Sequence, residues 1–191
     1  MSDPLAAIEW PVRTERLTLR RAAEPDLDAV WAYRRDPEVT RWLSAAPPTL
    51  AEHRASFVRG GQLSRMILVE LDGQVVGDTM IKVEDAWAQT EVTDSAKGTH
   101  AELGWTFDPA HHGRGLATEA VTALVDLSFG PLGLRRVYAV CFADNEPSWR
   151  VMERIGMRRE QHLVREALHR SGEWLDSLGY ALLAEEWPAR P

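Results

Sequence analysis

The segment from Thr106 to Ala120, Thr-Phe-Asp-Pro-Ala-His-His-Gly-Arg-Gly-Leu-Ala-Thr-Glu-Ala, gathers residue types that can hold a phosphate. Gly113 and Gly115 carry no side chain to keep an anion away from the backbone. Helical spacing resumes directly behind them, so the unpaired amides of a first helical turn point at the same place. His111, His112 and Arg114 put potential positive charge beside those amides. The spacing Gly-x-Gly-x-Ala fits neither known nucleotide fingerprint: no Lys-Ser/Thr pair follows as in a P-loop, and Gly-x-Gly-x-x-Gly is not completed. The chemistry indicated is the grip of a third kind of phosphate ligand.

Other chemistries are excluded by what surrounds this loop. His111 and His112 are adjacent on one loop and splay apart, and no third ligand spacing accompanies them, so no metal is expected. Cys141 is the only cysteine, which rules out an internal disulfide and a cysteine-based metal site. No Cys-His-Asp order supports a nucleophilic role for it, and a lone strand cysteine packs as a small hydrophobe. The formal net charge of −7 argues against nucleic acid as partner and suits a small or basic substrate. Residues Met1 to Trp10 include Asp3 and Glu9 and lack the basic n-region of a signal peptide. No window approaches the ~20 apolar residues of a membrane span, so no membrane partner is expected and the cytoplasm is the expected compartment. With 191 residues, 45% hydrophobic and 27% charged, and no linker-like tract, the chain reads as one domain over residues 1–191.

The elements that must position the loop follow from periodicity. Arg16 to Arg20 alternates as a half-buried strand, and Glu24-Pro25-Asp26 opens a helix running to Arg34. After Pro47-Pro48 a second helix covers Leu50 to Arg59 and stops at Gly60-Gly61. Met66 to Leu71 and Val75 to Val83 flank Asp72-Gly73, a hairpin signal. Glu84 to Gly98 is polar, and an irregular, mobile excursion is expected. Ala101 to Phe107 is the strand that feeds the loop, and Gly115 to Phe129 the helix behind it, with Leu116, Ala120, Leu124 and Leu127 at helical spacing. A strand at Arg136 to Phe142, a helix at Pro147 to Arg154 stopped by Gly156, and strands at about His162 to His169 and Trp174 to Leu183 complete the chain.

Arg16-Leu-Thr-Leu-Arg20, Glu102-Leu-Gly-Trp105, Gly113-Arg-Gly-Leu-Ala-Thr-Glu-Ala120, Asn145-x-x-Ser148 and Glu153-Arg-Ile-Gly-Met157 occur in this order. The series resembles the GNAT acyl-CoA-dependent N-acyltransferases, nearest to their RimJ/RimL-like ribosomal-protein N-terminal acetyltransferase branch, over about residues 13–184. The resemblance implies an α/β (α+β) fold: a mixed, mostly antiparallel central sheet of about seven strands with helices on both faces, its fourth and fifth strands splayed. It implies acetyl-CoA, or another acyl-CoA, as co-substrate. The pantetheine arm would pair with the strand edge around Trp105 and Phe107, and the pyrophosphate would rest on amides of His112, Gly113, Arg114, Gly115, Leu116, Ala117 and Thr118. One departure is Ala110, where the family usually carries Gln or Arg.

Acyl transfer to an amine needs a neutral amine, a polarised thioester carbonyl and a proton for the departing thiolate. By the resemblance, Asn145 bonds the pantetheine and Ser148 stands near the sulfur, which makes Ser148 the proton donor; helix capping is the alternative for both residues. Glu166 on the penultimate strand is the first choice of base and Glu102 the second, each alternatively a solvated strand carboxylate. Trp42 and Trp87 lie in segments that cover the acceptor groove in the family, and Asp176 matches a recurrent acidic position of the last hairpin. The reaction implied is direct sequential transfer of an acetyl group to a peptide or protein N-terminus or a small amine. An acyl-CoA-binding module without turnover, and a nucleotide site using the same loop, are the alternatives. An exposed edge strand and the tryptophan-rich segments also suit a homodimer.

Overall fold

The computed structural model describes residues 3–59 and 61–188. Gly60, half of the expected helix stop, lies outside the described residues, as do Met1 and Ser2. The strands are β1 (Val12–Arg13), β2 (Leu17–Arg21), β3 (Met66–Leu71), β4 (Gln74–Glu84), β5 (His100–Phe107), β6 (Arg136–Phe142), β7 (Arg158–Leu168) and β8 (Trp174–Leu183). The helices are α1 (Leu27–Arg34), α2 (Pro37–Thr40), α3 (Leu50–Arg59), α4 (Thr93–Ala96), α5 (Leu116–Phe129) and α6 (Glu146–Arg154). The strands form one sheet in the order β1-β2-β3-β4-β5-β6-β8-β7. The chain divides into two compact units, Met1–Ile81 with Gly104–Ala123, and Lys82–Leu103 with Leu124–Pro191.

In the first unit, β2 pairs antiparallel with β3 from Leu17↔Leu71 to Arg21↔Ile67. Leu17 and Leu19 are buried, as the alternation requires. Asp72 and Gly73 have φ of 51° and 79°, so both central residues of the β3–β4 turn are left-handed, as a type I′ hairpin requires. Met66 and Leu68 of β3 pack with Leu27, Val30 and Tyr33 of α1 and Phe57 of α3. Each such buried side chain contributes about 1.5–3 kcal/mol. From the same helix, Arg34 reaches the buried Asp78 of β4 with a two-pronged ion pair, its Nη2 lying 2.5 Å from Oδ1 and 2.7 Å from Oδ2.

In the second unit, β5 pairs parallel with β6 at His100↔Arg136, Ala101↔Val137 and Glu102↔Tyr138. β8 then pairs antiparallel with both β6 and β7. Leu178, Tyr180, Ala181 and Leu182 of β8, Val137 and Ala139 of β6, and Val151 and Met152 of α6 are buried. β7 is the sheet edge and exposed along almost its whole length.

The sheet is mixed and mostly antiparallel as expected, with the two-residue Val12–Arg13 bringing the strands to eight. Two expectations are corrected. β7 starts at Arg158, ahead of His162; its first residues, Arg-Arg-Glu-Gln, carry no apolar alternation because an edge strand at the surface needs none. The excursion after β4 is not irregular throughout. It contains a 3-10 turn at Thr90–Val92 followed by α4. Its ends are tied by Ala86 N–H to the Ala96 carbonyl and Gly98 N–H to the Asp85 carboxylate. Among the described residues no helix is long and apolar enough to cross a membrane.

Candidate functional site

The glycine loop belongs to the first unit. β5 ends at Phe107, whose ring packs against the backbone of Gly77 in β4. The Asp108 N–H is anchored on the Val76 carbonyl at 3.0 Å. The Asp108 side chain accepts the Ala110 N–H, and a 3-10 turn over Pro109–His111 carries the chain away from the strand. The His112 ring nitrogen lies 3.3 Å from the Phe107 carbonyl. Gly113 and Gly115 then adopt φ of 73° and 76°, a region closed to most residues with a side chain. A Cβ added to Gly113 would meet no atom within 4 Å, so the space in front of the loop is open.

Behind it, buried Leu116 fixes the start of α5. The Glu119 N–H is the first to bond back along the helix, to the Gly115 carbonyl at 3.1 Å. The amides of Leu116, Ala117 and Thr118 precede that bond and have no carbonyl one turn back within the helix. Open space, left-handed glycines and a helix N-terminus together form a cradle that fits a pyrophosphate. The side chains of Phe107 and Leu116 face the core, so only their backbone can serve a ligand.

Arg16 and Glu119 border the loop in a pairing that the sequence did not disclose. Arg16 forms an ion pair with Glu119 at 2.6 Å and donates to the Arg114 carbonyl at 2.9 Å. Glu119 also accepts from the Thr14 hydroxyl and the Arg16 amide. Burial pushes its carboxyl up, but these bonds outweigh that effect and hold it below the usual carboxylate range. Trp42 lies elsewhere in this unit, half-buried, with the Arg41 guanidinium 4.5 Å above its ring.

Three polar groupings of the second unit contain residues singled out in the sequence. In the first, Lys82 pairs with Glu84 and lies 3.4 Å from Glu102, while Tyr138 donates its hydroxyl to Glu84. Burial and the neighbouring carboxylates push the Tyr138 phenol well up, so it stays a donor. The spacing of Lys82 and Glu84 in the β4 alternation is the signal that could have revealed this face.

The second grouping joins Ser148, at the first turn of α6, to Cys141 on β6 through a side-chain hydrogen bond. Burial pushes the Cys141 thiol up to about 11, so it is neutral and a poor nucleophile near neutral pH. Asn145 precedes α6 but makes no side-chain capping bond. The third lies on the β7–β8 hairpin. Glu166 accepts from the Ser177 hydroxyl at 2.9 Å. Asp176 accepts the Arg165 N–H at 2.8 Å and lies 2.7 Å from His162 Nε2. The Arg165 backbone bond and then the His162 contact hold the Asp176 carboxyl low. Arg165 has φ of 48° at a register shift, so Asp176 pins a β-bulge. Trp87 stands on the β4–β5 excursion, 90% exposed. Among the described residues no group of three or more His, Cys, Asp or Glu is placed to hold a metal.

Comparison with known proteins adds family context to this geometry. A family model described as an acetyltransferase (GNAT) domain matches residues 16–158. Over 177 residues the chain is 32% identical to YnaD of Bacillus subtilis (strain 168), an uncharacterized N-acetyltransferase, covering 92% of this chain and 98% of that relative. A GNAT-family acetyltransferase structure from Bacillus anthracis superposes with a TM-score of 0.76 at 32% identity, covering 92% of this chain and 99% of its own. Mycobacterium smegmatis RimJ in complex with CoA-disulfide is similar with a TM-score of 0.72 at 25% identity, covering 91% of this chain and 84% of its own.

Proposed function

The chain belongs to the GNAT acetyltransferase family and is an acyl-CoA-dependent N-acetyltransferase, and we propose that its acceptor is a peptide or protein N-terminus or a small primary amine, acetylated by direct sequential transfer. One observation carries the reading: two left-handed glycines, Gly113 with open space in front of it, immediately ahead of a helix whose first amides lack intrahelical partners. Such a cradle suits the pyrophosphate of CoA, and a CoA derivative is bound in the RimJ structure named above. Acetyl-CoA supplies the acyl carbon as an activated thioester.

The chain's own residues divide the remaining work. Amides of His112 to Thr118 hold the pyrophosphate, and the backbone around Trp105 and Phe107 and the Asn145 side chain hold the pantetheine. As the amine nitrogen bonds to the carbonyl carbon and the carbon–sulfur bond breaks, Ser148 passes its proton to the departing thiolate and takes one from water in the same step. The proton leaving the amine passes to a carboxylate. Glu102 is favoured for that role, because it meets Lys82 only at 3.4 Å, whereas Glu166 is already bonded to Ser177 at 2.9 Å. A peptide α-amine has a pKa of about 8, so modest assistance suffices. Trp42, Trp87 and Asp176 complete the acceptor side, Asp176 by shaping the hairpin.

The test is CoA-thiol release with acetyl-CoA against a panel of peptide N-termini and small amines. Intersecting initial-velocity lines are expected, together with a Ser148→Ala enzyme that binds CoA normally and loses turnover. Glu102→Gln should flatten the pH dependence of kcat/KM more than Glu166→Gln. Parallel lines, or full turnover by Ser148→Ala at every pH, would overturn this assignment.

A further inference from the structure

Arg16 and Glu119 meet at the mouth of the glycine loop although 103 residues separate them. Resting on the pyrophosphate reading given above, we propose that Arg16, held in place by Glu119, is a positioning residue that aims the Gly115 N–H at the cofactor's pyrophosphate.

The geometry is that of one peptide plane. In a trans peptide the carbonyl and the following N–H point in opposite directions. Arg16 Nη1 donates to the Arg114 carbonyl at 2.9 Å, which turns that oxygen toward Arg16. The N–H of the same plane belongs to Gly115 and is thereby turned the other way. The Arg114 carbonyl lies one residue ahead of the first carbonyl that α5 uses, that of Gly115, so the helix itself does not fix this plane.

Arg16 can serve as a brace because it is itself clamped. Its Nε donates to Glu119 Oε2 at 2.7 Å and its Nη2 lies 2.6 Å from the same oxygen. The other carboxylate oxygen takes the Arg16 backbone N–H at 2.8 Å and the Thr14 hydroxyl at 2.5 Å. One carboxylate therefore grips both ends of Arg16. A Cβ placed on Gly115 would lie 3.6 Å from Arg16 Nη2, so the guanidinium sits directly against the loop. Glu119 neutralises the charge of Arg16, which leaves direction rather than charge as its contribution. The Arg16 side chain is 42% exposed, and an ion pair at such a site adds little to stability.

The experiment compares a ligand that has the pyrophosphate with one that lacks it. Calorimetric Kd for CoA, and kcat/KM for acetyl-CoA and for S-acetylpantetheine, are measured for the wild type, Arg16→Gln and Arg16→Lys. CoA affinity should fall roughly tenfold in both variants, the loss of one charge-assisted bond. The loss on S-acetylpantetheine should stay within about twofold, since no pyrophosphate is there to be met. Equal losses on both substrates would make Arg16 merely structural. Full affinity in Arg16→Lys would show that charge, not aim, matters, and would also overturn the proposal. If Arg16→Gln does not fold, Glu119→Gln takes its place in the same comparison. A wild-type enzyme that uses S-acetylpantetheine as well as acetyl-CoA would instead refute the pyrophosphate reading itself, whatever Arg16 does.

Discussion

Gly77 is the tightest point behind the loop, and replacing it with alanine tests whether the strand end sets the loop's position. A Cβ at Gly77 would lie 2.7 Å from the Thr106 carbonyl oxygen and 2.8 Å and 3.0 Å from two carbons of the Phe107 ring. Ordinary van der Waals contact begins at 3.4 Å, so the backbone oxygen is about 0.7 Å too close. Thr106 cannot simply swing aside, because Arg34 bonds its hydroxyl and the following Asp108 N–H is tied to Val76. Overpacking of this kind costs about 1–3 kcal/mol. In a chain of this size each kcal/mol lowers Tm by about 2–4 °C, giving a fall of about 2–12 °C. The displaced Phe107–Asp108 segment feeds the cradle, so CoA affinity should drop roughly tenfold as amides lose their alignment.

Gly73→Ala is the matched control. Its φ of 79° strains an alanine, yet a Cβ there meets nothing within 4 Å, and the turn lies outside the loop. That variant should lose about 1 kcal/mol and bind CoA normally. Thermal shift with calorimetric titration of CoA reads both effects. The reasoning fails if Gly77→Ala keeps its Tm and its CoA affinity, or if both glycine variants weaken CoA equally.

Two further outcomes follow from the core of the first unit. His53 is 1% exposed between Trp31 and Phe57, and burial, followed by the Arg34 and Arg54 charges, lowers its pKa to about 4. The unfolded chain takes up that proton at about 6.5, so stability is full above that pH and falls on acidification toward pH about 4, by at most about 3 kcal/mol. Between pH 7 and 4 the denaturant midpoint of wild type should fall relative to that of His53→Phe, and parallel profiles would refute this. Asp78→Ala strands the Arg34 charge and should cost about 3–5 kcal/mol, whereas Arg34→Met with Asp78→Leu should recover most of it. A denaturant double-mutant cycle measures both, and a single-mutant loss under about 1 kcal/mol would show the pair to be dispensable.

What the sequence disclosed and what it hid divide by range. Asp72-Gly73 dictates its own left-handed turn, and Leu116, Ala120, Leu124 and Leu127 dictate the buried face of α5, because neighbours a few residues away decide both. The loop was legible for the same reason: Gly113, Gly115 and the helix behind them act through local backbone. Arg34 with Asp78, and the Lys82–Glu84 face of β4 with Glu102 and Tyr138, depend on which elements become neighbours and in what register. No spacing in the chain encodes that.

Arg16 and Glu119 mark the boundary. Both stand in segments that single out the family, yet as letters they report only a charge beside a strand and a charge in a helical turn. The fold turns them into a clamp on the Arg114 carbonyl by laying the chain ahead of β2 against the first turn of α5. A glycine pair can permit a phosphate cradle by itself, but it cannot hold one open, because residues free to adopt a left-handed backbone are equally free to leave it. What keeps Gly115 in place must therefore come from outside the loop, and the Arg16–Glu119 pair is the part of this structure built to supply it.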